Sequence, residues 1–393
     1  MDTILVANAG SSSVKFQVFA VERDGTLTRQ IKGQVDGVGT EPRLRATDVD
    51  SKVMVDRVYE PNLMVDVPSA LASAGDWLRE ELHIHPTAVG HRVVHGGPDY
   101  DRPVRVDAEV LHKLHRYVSL APLHQPFNLA PIRSVLATLP TLPQVACFDT
   151  AFHRNHGALA DWYAIPRQLH AEGVRRYGFH GLSYEYIASK LPEIAPEIAG
   201  KRVIVAHLGS GASMCAIDRG RSIESTMGFT ALDGLPMGTR PGQLDPGVLL
   251  FLISEKGMSA AETQSFLYRE CGLKGLSGIS NDMRELQDCA DPCAVFAVDY
   301  FVHRIGLNAG MLVAAMQGVD GFVFTAGIGE NSPKIRAAIA SKLAWLGVSL
   351  DSAANAENRL LISRPDSRVP VYVIPTDEEL MIARHTLSLL TPS

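Results

Sequence analysis

The chain has 393 residues, of which 46% are hydrophobic and 20% charged, and its 37 basic and 43 acidic side chains give a net charge of −6. This length exceeds what one hydrophobic core usually takes, so two domains are expected. The acidic balance offers no basic surface to nucleic acid or to an anionic membrane, so any anion site must be local.

The first half is predicted to begin with a β-hairpin, with strands at 3–7 and 14–20. A helix follows at 68–82 with Ser69 as its N-cap, then a strand at 88–94, a helix at 107–118 and a strand at 144–148 that ends at Asp149. The second half repeats the theme with a hairpin at 203–217, helices at 246–256 and 291–317, a strand at 321–325, a helix opened by Ser332 and Pro333, a strand at 371–374 and a helix at 377–390. The pattern predicts an α/β fold of two similar halves around a central cleft.

Cysteine usage and the chain's start indicate the compartment. The five scattered cysteines favour free thiols in a reducing environment, and Cys289 with Cys293 lacks the second Cys/His pair of a zinc site. The chain enters its first strand without the basic segment and long apolar run of a signal peptide, and its longest apolar stretch, 248–253, is far shorter than a membrane span. We therefore expect a cytoplasmic protein with neither a membrane nor a nucleic-acid partner.

Both predicted hairpins turn on small residues. The first turn is Gly10-Ser11-Ser12-Ser13 and the second is Gly209-Ser210-Gly211. Such residues let backbone N–H groups approach an oxyanion, because no bulky side chain intervenes. Two such turns, one in each half, predict a nucleotide whose phosphates are held between the halves.

Two glycine-rich segments have alternative interpretations. Gly327-Ile328-Gly329-Glu330-Asn331 follows a strand and opens a helix, so it is either a tight turn or a nucleotide contact at a helix N-terminus. Its spacing matches neither a Rossmann fingerprint nor a Walker A loop. Arg240 lies in the loop 234–242, where it either is solvated or binds carboxylate or phosphate oxygens in bidentate fashion.

Other polar residues are equally ambiguous when taken alone. Arg92 ends a strand beside two histidines, which suits either an ion pair or a ligand. Asp149 either orients an arginine or a metal, or caps a turn. His124 and His180 fit hydrogen-bonded structural roles as well as functional ones, and Asp282 fits an N-cap as well as a contact to ligand hydroxyls.

Taken together, the motifs point to one family. The strings NAGSSSVKF at 8–16, HRVVHGG at 91–97, APLHQPFNL at 121–129, FDTAFH at 148–153, RRYGFHGLSY at 175–184, HLGSGAS at 207–213, GLPMGTRPG at 234–242, GISNDMRE at 278–285, FTAGIGENS at 324–332 and IPTDEELMIA at 374–383 occur in this order. The chain thereby resembles the acetokinase family, within the sugar kinase, Hsp70 and actin superfamily. The resemblance implies two ribonuclease H-like domains, residues 1–149 with 381–393 and residues 150–380.

The resemblance also implies an activity and its site. The family transfers phosphate reversibly between ATP and acetate, giving ADP and acetyl phosphate, with Mg²⁺ or with Mn²⁺ in its place, and it implies a homodimer. The catalytic residues would be Arg92, Asp149, His180 and Arg240, and the acetate pocket would comprise Arg92, Val94, Leu123, His124 and Phe179. The nucleotide would contact Ser13, Lys15, His207, Leu208, Gly209, Ser210, Gly211, Asp282, Met283, Arg284, Gly327, Ile328, Gly329, Glu330 and Asn331, and the metal would be held near Asn8 and Glu378.

The chemistry of such a reaction limits what Asp149 does. A carboxylic acid is already ionised at pH 7, because its pKa is near ~4, so the attack on phosphorus needs no general base. Cationic groups and a metal ion instead remove the repulsion between two anions and stabilise the transferred group. We therefore expect Asp149 to orient an arginine or a metal-bound water.

Two positions depart from the family pattern. Ser210 replaces the usual asparagine of the second hairpin, which alters the donors near the phosphates. Ala231 stands where the family usually has proline, and the lost ring volume would admit propionate. One methylene in an apolar pocket is worth only about 1–3 kcal/mol, so propionate kinase is the main alternative. A nucleotide-dependent switch of the Hsp70 or actin kind is a remote one, since it leaves Arg92, His180 and Arg240 without a role.

Overall fold

A computed structural model describes residues 2–390, which form two mixed α/β units. The strands are β1 (Thr3–Ala9), β2 (Val14–Val21), β3 (Leu27–Asp36), β4 (Arg43–Thr47), β5 (Val53–Val58), β6 (Ala88–Val93), β7 (Val104–Arg105), β8 (Gln144–Phe148), β9 (Arg202–Leu208), β10 (Ala212–Asp218), β11 (Arg221–Ser225), β12 (Gly321–Thr325) and β13 (Val371–Val373). The helices are α1 (Val67–Glu80), α2 (Ala108–His115), α3 (Gln125–Thr138), α4 (Ala158–Asp161), α5 (Arg167–Ala171), α6 (Gly181–Ile194), α7 (Pro246–Ser254), α8 (Ala260–Arg269), α9 (Gly272–Ser277), α10 (Met283–Leu286), α11 (Pro292–Met316), α12 (Ala326–Asn331), α13 (Pro333–Lys342), α14 (Ser352–Ala356) and α15 (Glu378–Leu390).

The first unit comprises the described parts of Met1–Phe152 and Asp377–Ser393. Its eight-stranded sheet has the order β5-β4-β3-β2-β1-β6-β8-β7. β1 pairs with β2 in antiparallel fashion, whereas β1, β6 and β8 run parallel. Apolar side chains of β1 to β5 form one core with α1, which contributes Leu71, Trp77 and Leu78.

Helix α15 packs against β1 and β6 of this sheet, and a glycine makes the close approach possible. A Cβ atom at Gly90 in β6 would lie 2.4 Å from Thr386 Oγ1 and 2.6 Å from Ile382 Cγ2. Only glycine leaves room for the helix at this distance. The packing fixes the N-terminal turn of α15, which begins at Glu378.

The second unit, His153–Thr376, is built on a five-stranded sheet with the order β11-β10-β9-β12-β13. β9 pairs with β10 in antiparallel fashion and with β12 in parallel fashion. The first unit contains the same arrangement in β3-β2-β1-β6-β8, with a hairpin first and two parallel strands after it. The two units therefore share one topology, as expected for a duplication.

Most predicted elements are present, and one cap was predicted wrongly. Asp66, not Ser69, is the N-cap of α1, because Pro68 is accommodated in the first turn and the helix therefore begins at Val67. Ser69 completes a capping box with Asp66 instead. Strands β3 to β5 and helices α3 and α6 were not predicted. The division into domains at 149/150 and 380/381 stays a prediction. None of the helices in residues 2–390 combines the length and the apolar character that crossing a membrane takes.

Candidate active site

Three polar side chains of the first unit meet at one edge of its sheet. Asn8 is near the end of β1, Arg92 near the end of β6, and Asp149 directly follows β8. These strands are parallel, so their carboxyl ends lie side by side. Arg92 donates from Nε and Nη2 to the two carboxylate oxygens of Asp149, at 2.9 and 2.5 Å, and from Nη1 to Asn8 Oδ1 at 3.3 Å. The bidentate pair fixes the guanidinium in one orientation.

A second carboxylate adds negative charge to this cluster. Glu378 Oε2 lies 3.7 Å from Arg92 Nε. Burial raises the pKa of Glu378 to about 7. The negative charge of Asp149 also raises this pKa, whereas the positive charge of Arg92 lowers it. Burial alone would lower the pKa of Arg92, but Asp149 and Glu378 override it and raise that pKa. Two carboxylates thus share one guanidinium, which leaves the cluster short of positive charge.

This shortage of positive charge suits a divalent cation. Asn8, Asp149 and Glu378 supply amide and carboxylate oxygens, the ligand types that Mg²⁺ prefers. Among residues 2–390, no group of three or more His, Cys, Asp or Glu side chains is arranged to hold a metal. Mg²⁺ commonly binds through one or two carboxylates, with water and substrate phosphates in its other positions, so this cluster fits it. The positive charge of Lys15, on β2, lowers the pKa of Glu378, so Lys15 interacts electrostatically with this cluster.

The remaining predicted residues of the first unit lie near these strand ends. Val94 directly follows β6, is 5% exposed, and its N–H donates to Asn128 Oδ1 at 3.0 Å. Leu123 and His124 are half-buried in the turn that leads into α3. Ser13 accepts a main-chain hydrogen bond from Gly10 at 2.8 Å and so closes the first hairpin turn.

In the second unit, two donors converge on the second hairpin turn. A Cβ atom at Gly211 would lie 2.8 Å from Arg240 Nη2 and 3.2 Å from His180 Nε2. Arg240 Nη1 donates to the carbonyl of Ala231 at 2.8 Å. No carboxylate of the described residues pairs with Arg240, and burial lowers its pKa to about 10. A partly buried guanidinium without an acidic partner is suited to bind an anion.

His180 is held by both its backbone and its ring. It is the N-cap of α6 and has a φ of 55°, in the left-handed region. Its ring stacks on that of His207, with centroids 4.1 Å apart and an interplanar angle of 16°. His207 Nδ1 is bonded to Ser183 Oγ at 2.9 Å. The preceding residue, Phe179, is 2% exposed, and its carbonyl accepts a hydrogen bond from His153 at 2.9 Å.

A cavity of about 530 Å³ lies beside the second hairpin turn, within the second unit. Eight predicted nucleotide-binding residues line it: Gly209, Ser210, Asp282, Met283, Arg284, Gly327, Ile328 and Asn331. Leu273 and Phe301 add apolar wall. The volume falls in the usual range for small-molecule sites. Segments more than 100 residues apart in sequence thus meet at one pocket.

The predicted residues that do not line this cavity have other contacts. Leu208 is buried at the end of β9. The Glu330 carboxylate accepts hydrogen bonds from the N–H groups of Ala326, at 2.8 Å, and Thr376, at 3.2 Å. Glu330 therefore holds the start of α12, where Ala326 has a φ of 64°. Asp282 is the N-cap of α10 and pairs with Arg284, so its interpretation as a cap is confirmed, and its contact to a ligand stays a prediction.

Several residues that support the site were missed from the sequence. Arg336 is fully buried and donates to the carbonyls of Gly329 and Glu330, each at 2.9 Å, at the end of α12. Ser213 and Tyr184 lie behind His180. The sequence contains one indication of the role of Arg336, which is Pro333. Proline has no N–H group to donate to the carbonyl of Gly329, four residues earlier, so this carbonyl needs another donor. Buried serine and tyrosine leave no such signal in one sequence.

Comparison with known proteins identifies the family. The profile described as "Acetokinase family" matches residues 3–384. The chain belongs to the acetokinase family. An acetate kinase of Nitrobacter hamburgensis is 72% identical over 99% of this chain and 96% of its own length.

Solved structures of the family have the same fold. The acetate kinase of Porphyromonas gingivalis is 36% identical, with a TM-score of 0.88 over the full length of both chains. A propionate kinase of Francisella tularensis is 37% identical, with a TM-score of 0.92 over 99% of this chain and 100% of its own. The duplicated actin- and Hsp70-like fold expected from the sequence is thereby confirmed.

Proposed function

We propose that this chain is a kinase that transfers the γ-phosphate of ATP to acetate, reversibly, to give ADP and acetyl phosphate. The observation that carries the proposal is Arg240, a partly buried guanidinium that no described carboxylate neutralises, next to His180 and Gly211. Such a position suits the charge on a phosphoryl group in transfer. The family and the near full-length relatives named acetate kinase supply the substrate.

The second unit binds the nucleotide in this proposal. The cavity beside Gly209 and Ser210 takes the adenosine between the apolar walls of Met283 and Ile328. At this cavity Asp282 is half-buried and Arg284 is exposed, and both offer partners to the ribose and the base. The turn from Gly209 to Gly211 presents its N–H groups to the phosphates. Ser13 and Lys15 are assigned to the phosphates on the resemblance alone.

The first unit binds acetate and the metal. Arg92 pairs with the acetate carboxylate, and Val94, Leu123 and His124 surround the methyl group, with Phe179 assigned on the resemblance. Asn8 and Glu378 would hold Mg²⁺, or Mn²⁺ in its place, through their side-chain oxygen atoms. When bound, the ion neutralises phosphate charge and orients the oxygens that share it. Asp149 is a positioning residue, because its bidentate contact sets the plane of Arg92.

The chemistry then needs no proton transfer. A carboxylate oxygen of acetate forms a bond to the γ-phosphorus while the bond from that phosphorus to the β–γ bridging oxygen breaks, and ADP leaves with the electron pair. Arg92 reduces the repulsion between the carboxylate and the phosphate. Arg240 and His180 donate to the oxygens of the transferred group, where negative charge is shared in the transition state.

Steady-state kinetics with hydroxylamine trapping tests this function. We expect ATP, Mg²⁺ and acetate to give acetyl hydroxamate, and Arg240→Gln to lower kcat by about 10²–10³-fold. Arg359→Gln is the matched control, because Arg359 is an exposed arginine of the same unit that pairs with Glu357. If acetate, propionate and butyrate all fail as substrates with ATP, the proposal is wrong.

Propionate kinase is the alternative, and one residue favours it. Ala231 replaces the family's usual proline, and its carbonyl contacts Arg240, so it lies beside the proposed reaction centre. The propionate kinase of Francisella tularensis also shares the fold closely. A kcat/KM for propionate above that for acetate in the same assay would transfer the assignment to propionate.

We further propose that the chain forms a homodimer through an apolar face of the second unit. Helix α7 buries none of its residues, and Leu250 and Phe251 are 66% and 49% exposed. Phe296 and Leu307 on α11 are also exposed, and Arg304 of α11 donates to Gln243, just before α7, at 2.5 Å. Large apolar side chains exposed on two helices of one unit are typical of an interface, and the resemblance implies that the partner is a second copy of the chain.

Light scattering after size-exclusion chromatography tests the dimer. Phe251→Asp should give a monomer, because a carboxylate cannot be buried in an apolar interface without a partner. Leu159→Asp is the control, since Leu159 is 97% exposed and lies on α4, outside the two helices of the proposed interface, so this variant should remain a dimer. A monomeric wild-type protein at micromolar concentration would refute the proposal.

A further inference from the structure

A chain of three hydrogen-bonded side chains leads from the interior of the second unit to His180. The Tyr184 hydroxyl lies 2.5 Å from Ser213 Oγ, and Ser213 Oγ lies 2.8 Å from His180 Nδ1. Tyr184 and Ser213 are both fully buried. The chain ends on one ring nitrogen, while the other, Nε2, lies 3.2 Å from the point that a Cβ at Gly211 would occupy.

We propose that Tyr184 and Ser213 are positioning residues that fix His180 in the tautomer with its hydrogen on Nε2. A phenol is a more acidic donor than an aliphatic alcohol, so the Tyr184 hydroxyl donates to Ser213 Oγ. Ser213 has one hydrogen of its own, which it then donates to His180 Nδ1. With Nδ1 as an acceptor, a neutral imidazole carries its hydrogen on Nε2.

The tautomer matters because of what Nε2 faces. A neutral imidazole donates from only one nitrogen, and the other presents a lone pair. With hydrogen on Nε2, His180 donates towards the same turn as Arg240 Nη2, which lies 2.8 Å from the Cβ position of Gly211. With hydrogen on Nδ1, a lone pair would face the anion that the turn binds. The serine thus decides whether His180 stabilises or repels that anion.

The surroundings of His180 restrain the orientation of its ring. His180 is fixed at its backbone by the left-handed N-cap of α6, and its ring is stacked on His207. A ring flip that exchanged the nitrogens would break the bond to Ser213. A flip of the His180 ring is therefore unfavourable as a means of placing an N–H group at the turn. The hydrogen bond to Ser213 instead sets which ring nitrogen carries the hydrogen.

Nitrogen-15 NMR of the full chain with labelled histidines tests the proton position without any substrate. The 14 histidines are distinguished by assigning the signal that is lost in His180→Gln. At about pH 8 we expect the wild-type His180 to show the Nε2–H tautomer, and Ser213→Ala to show a mixture of both. Unchanged tautomer populations in Ser213→Ala would overturn the proposal.

Kinetics of the same variants test the consequence, which rests on the proposed phosphoryl transfer. We expect Ser213→Ala to lower kcat by about 10- to 100-fold, with KM for ATP and acetate within about twofold. Ser213→Thr keeps the hydroxyl and should restore the rate. Ser363→Ala, the same change at a buried serine that accepts from the N–H of Val371, should leave the rate unchanged.

The outcomes separate the two proposals. If the wild-type protein transfers phosphate but Ser213→Ala keeps its kcat, the positioning role is wrong and the function stands. If the wild-type protein transfers no phosphate, the function fails, and the NMR result alone decides the tautomer. Should Ser213→Ala not fold, Tyr184→Phe removes the first donor and keeps the buried ring, and the same two readouts apply to it.

Discussion

Replacement of Arg336 by methionine should destabilise the second unit, because it removes five hydrogen-bond donations at once. The guanidinium donates to the carbonyls of Gly329, Glu330 and Asn355 and to the side-chain oxygens of Asn355 and Asn358, over 2.6–2.9 Å. Methionine fills a similar volume but has no N–H group. The asparagine side chains are able to rotate to other donors, whereas the three carbonyls are held by α12 and α14.

The size of the effect follows from two of those carbonyls, those of Gly329 and Glu330, because the carbonyl of Asn355 also accepts from the N–H of Asn358 at 3.2 Å. At about 1–2 kcal/mol for each buried carbonyl without a donor, the loss is about 2–4 kcal/mol. Removal of a buried cation that no described carboxylate neutralises returns part of this, so we expect the free energy of unfolding to fall by about 1–3 kcal/mol. The free energy of unfolding of Arg336→Lys should lie between those of Arg336→Met and the wild type, because an ammonium group reaches fewer of these oxygens.

Urea denaturation read by hydrogen-exchange mass spectrometry measures this, since two units need not unfold together. Peptides that span α12 and α14 should exchange faster in Arg336→Met, and peptides of α1 in the first unit should not change. Arg359→Met is the control, because its exposed ion pair is worth at most about 1 kcal/mol. If Arg336→Met and wild type agree within about 0.5 kcal/mol, water satisfies these carbonyls and the reasoning from buried acceptors is refuted.

Three further predictions concern the site. Burial raises the pKa of Glu378 to about 7 from 4.5, so its stabilising contribution to the metal-free protein is complete below about pH 4.5 and is lost as pH rises through about 7. Mg²⁺ should therefore raise Tm more at pH 8 than at pH 5.5, and Glu378→Gln should abolish this difference; an equal Tm shift at both pH values in the wild type would contradict it. Ser210→Asn adds an amide donor at the nucleotide cavity and should lower KM for ATP by about 3- to 10-fold at unchanged kcat, for a gain of about 1 kcal/mol; a higher KM would count against this donor role. Ala231→Pro should raise the ratio of kcat/KM for acetate over propionate by at least about fivefold, since a methylene in an apolar pocket is worth about 1–3 kcal/mol, and an unchanged ratio would show that residue 231 does not contact the alkyl group.

Sequence motifs were sufficient to predict the fold and to bring the right segments together. The alternation of strands with glycine-rich turns predicted two similar α/β halves, because a buried parallel sheet needs apolar strands and a helix between them. The segments at 209–210, 282–284 and 327–331 were assigned to one ligand, and the structure brings most of their residues to one cavity. Their roles stay predictions until they are measured.

What the sequence did not predict depends on contacts distant along the chain. Glu330 stands in a glycine-rich motif, yet its carboxylate is used by the N–H groups of Ala326 and Thr376. A charged residue such as Arg336 is expected at the surface, but the carbonyl of Gly329, which Pro333 leaves without a donor, accepts from its guanidinium in the core. The strands β3 and β4 were missed because their outer face is polar, so they lack the apolar runs that mark a buried strand.

The packing of α15 on Gly90 has a consequence for the order in which the chain folds during synthesis. The second unit is continuous in sequence, so all of its contacts are available once residue 376 has left the ribosome. The first unit is interrupted, and the face of β1 and β6 that receives Ile382 and Thr386 stays uncovered while some 220 residues are added. A nascent chain arrested before residue 377 should therefore contain a protease-resistant second unit and a protease-sensitive first one.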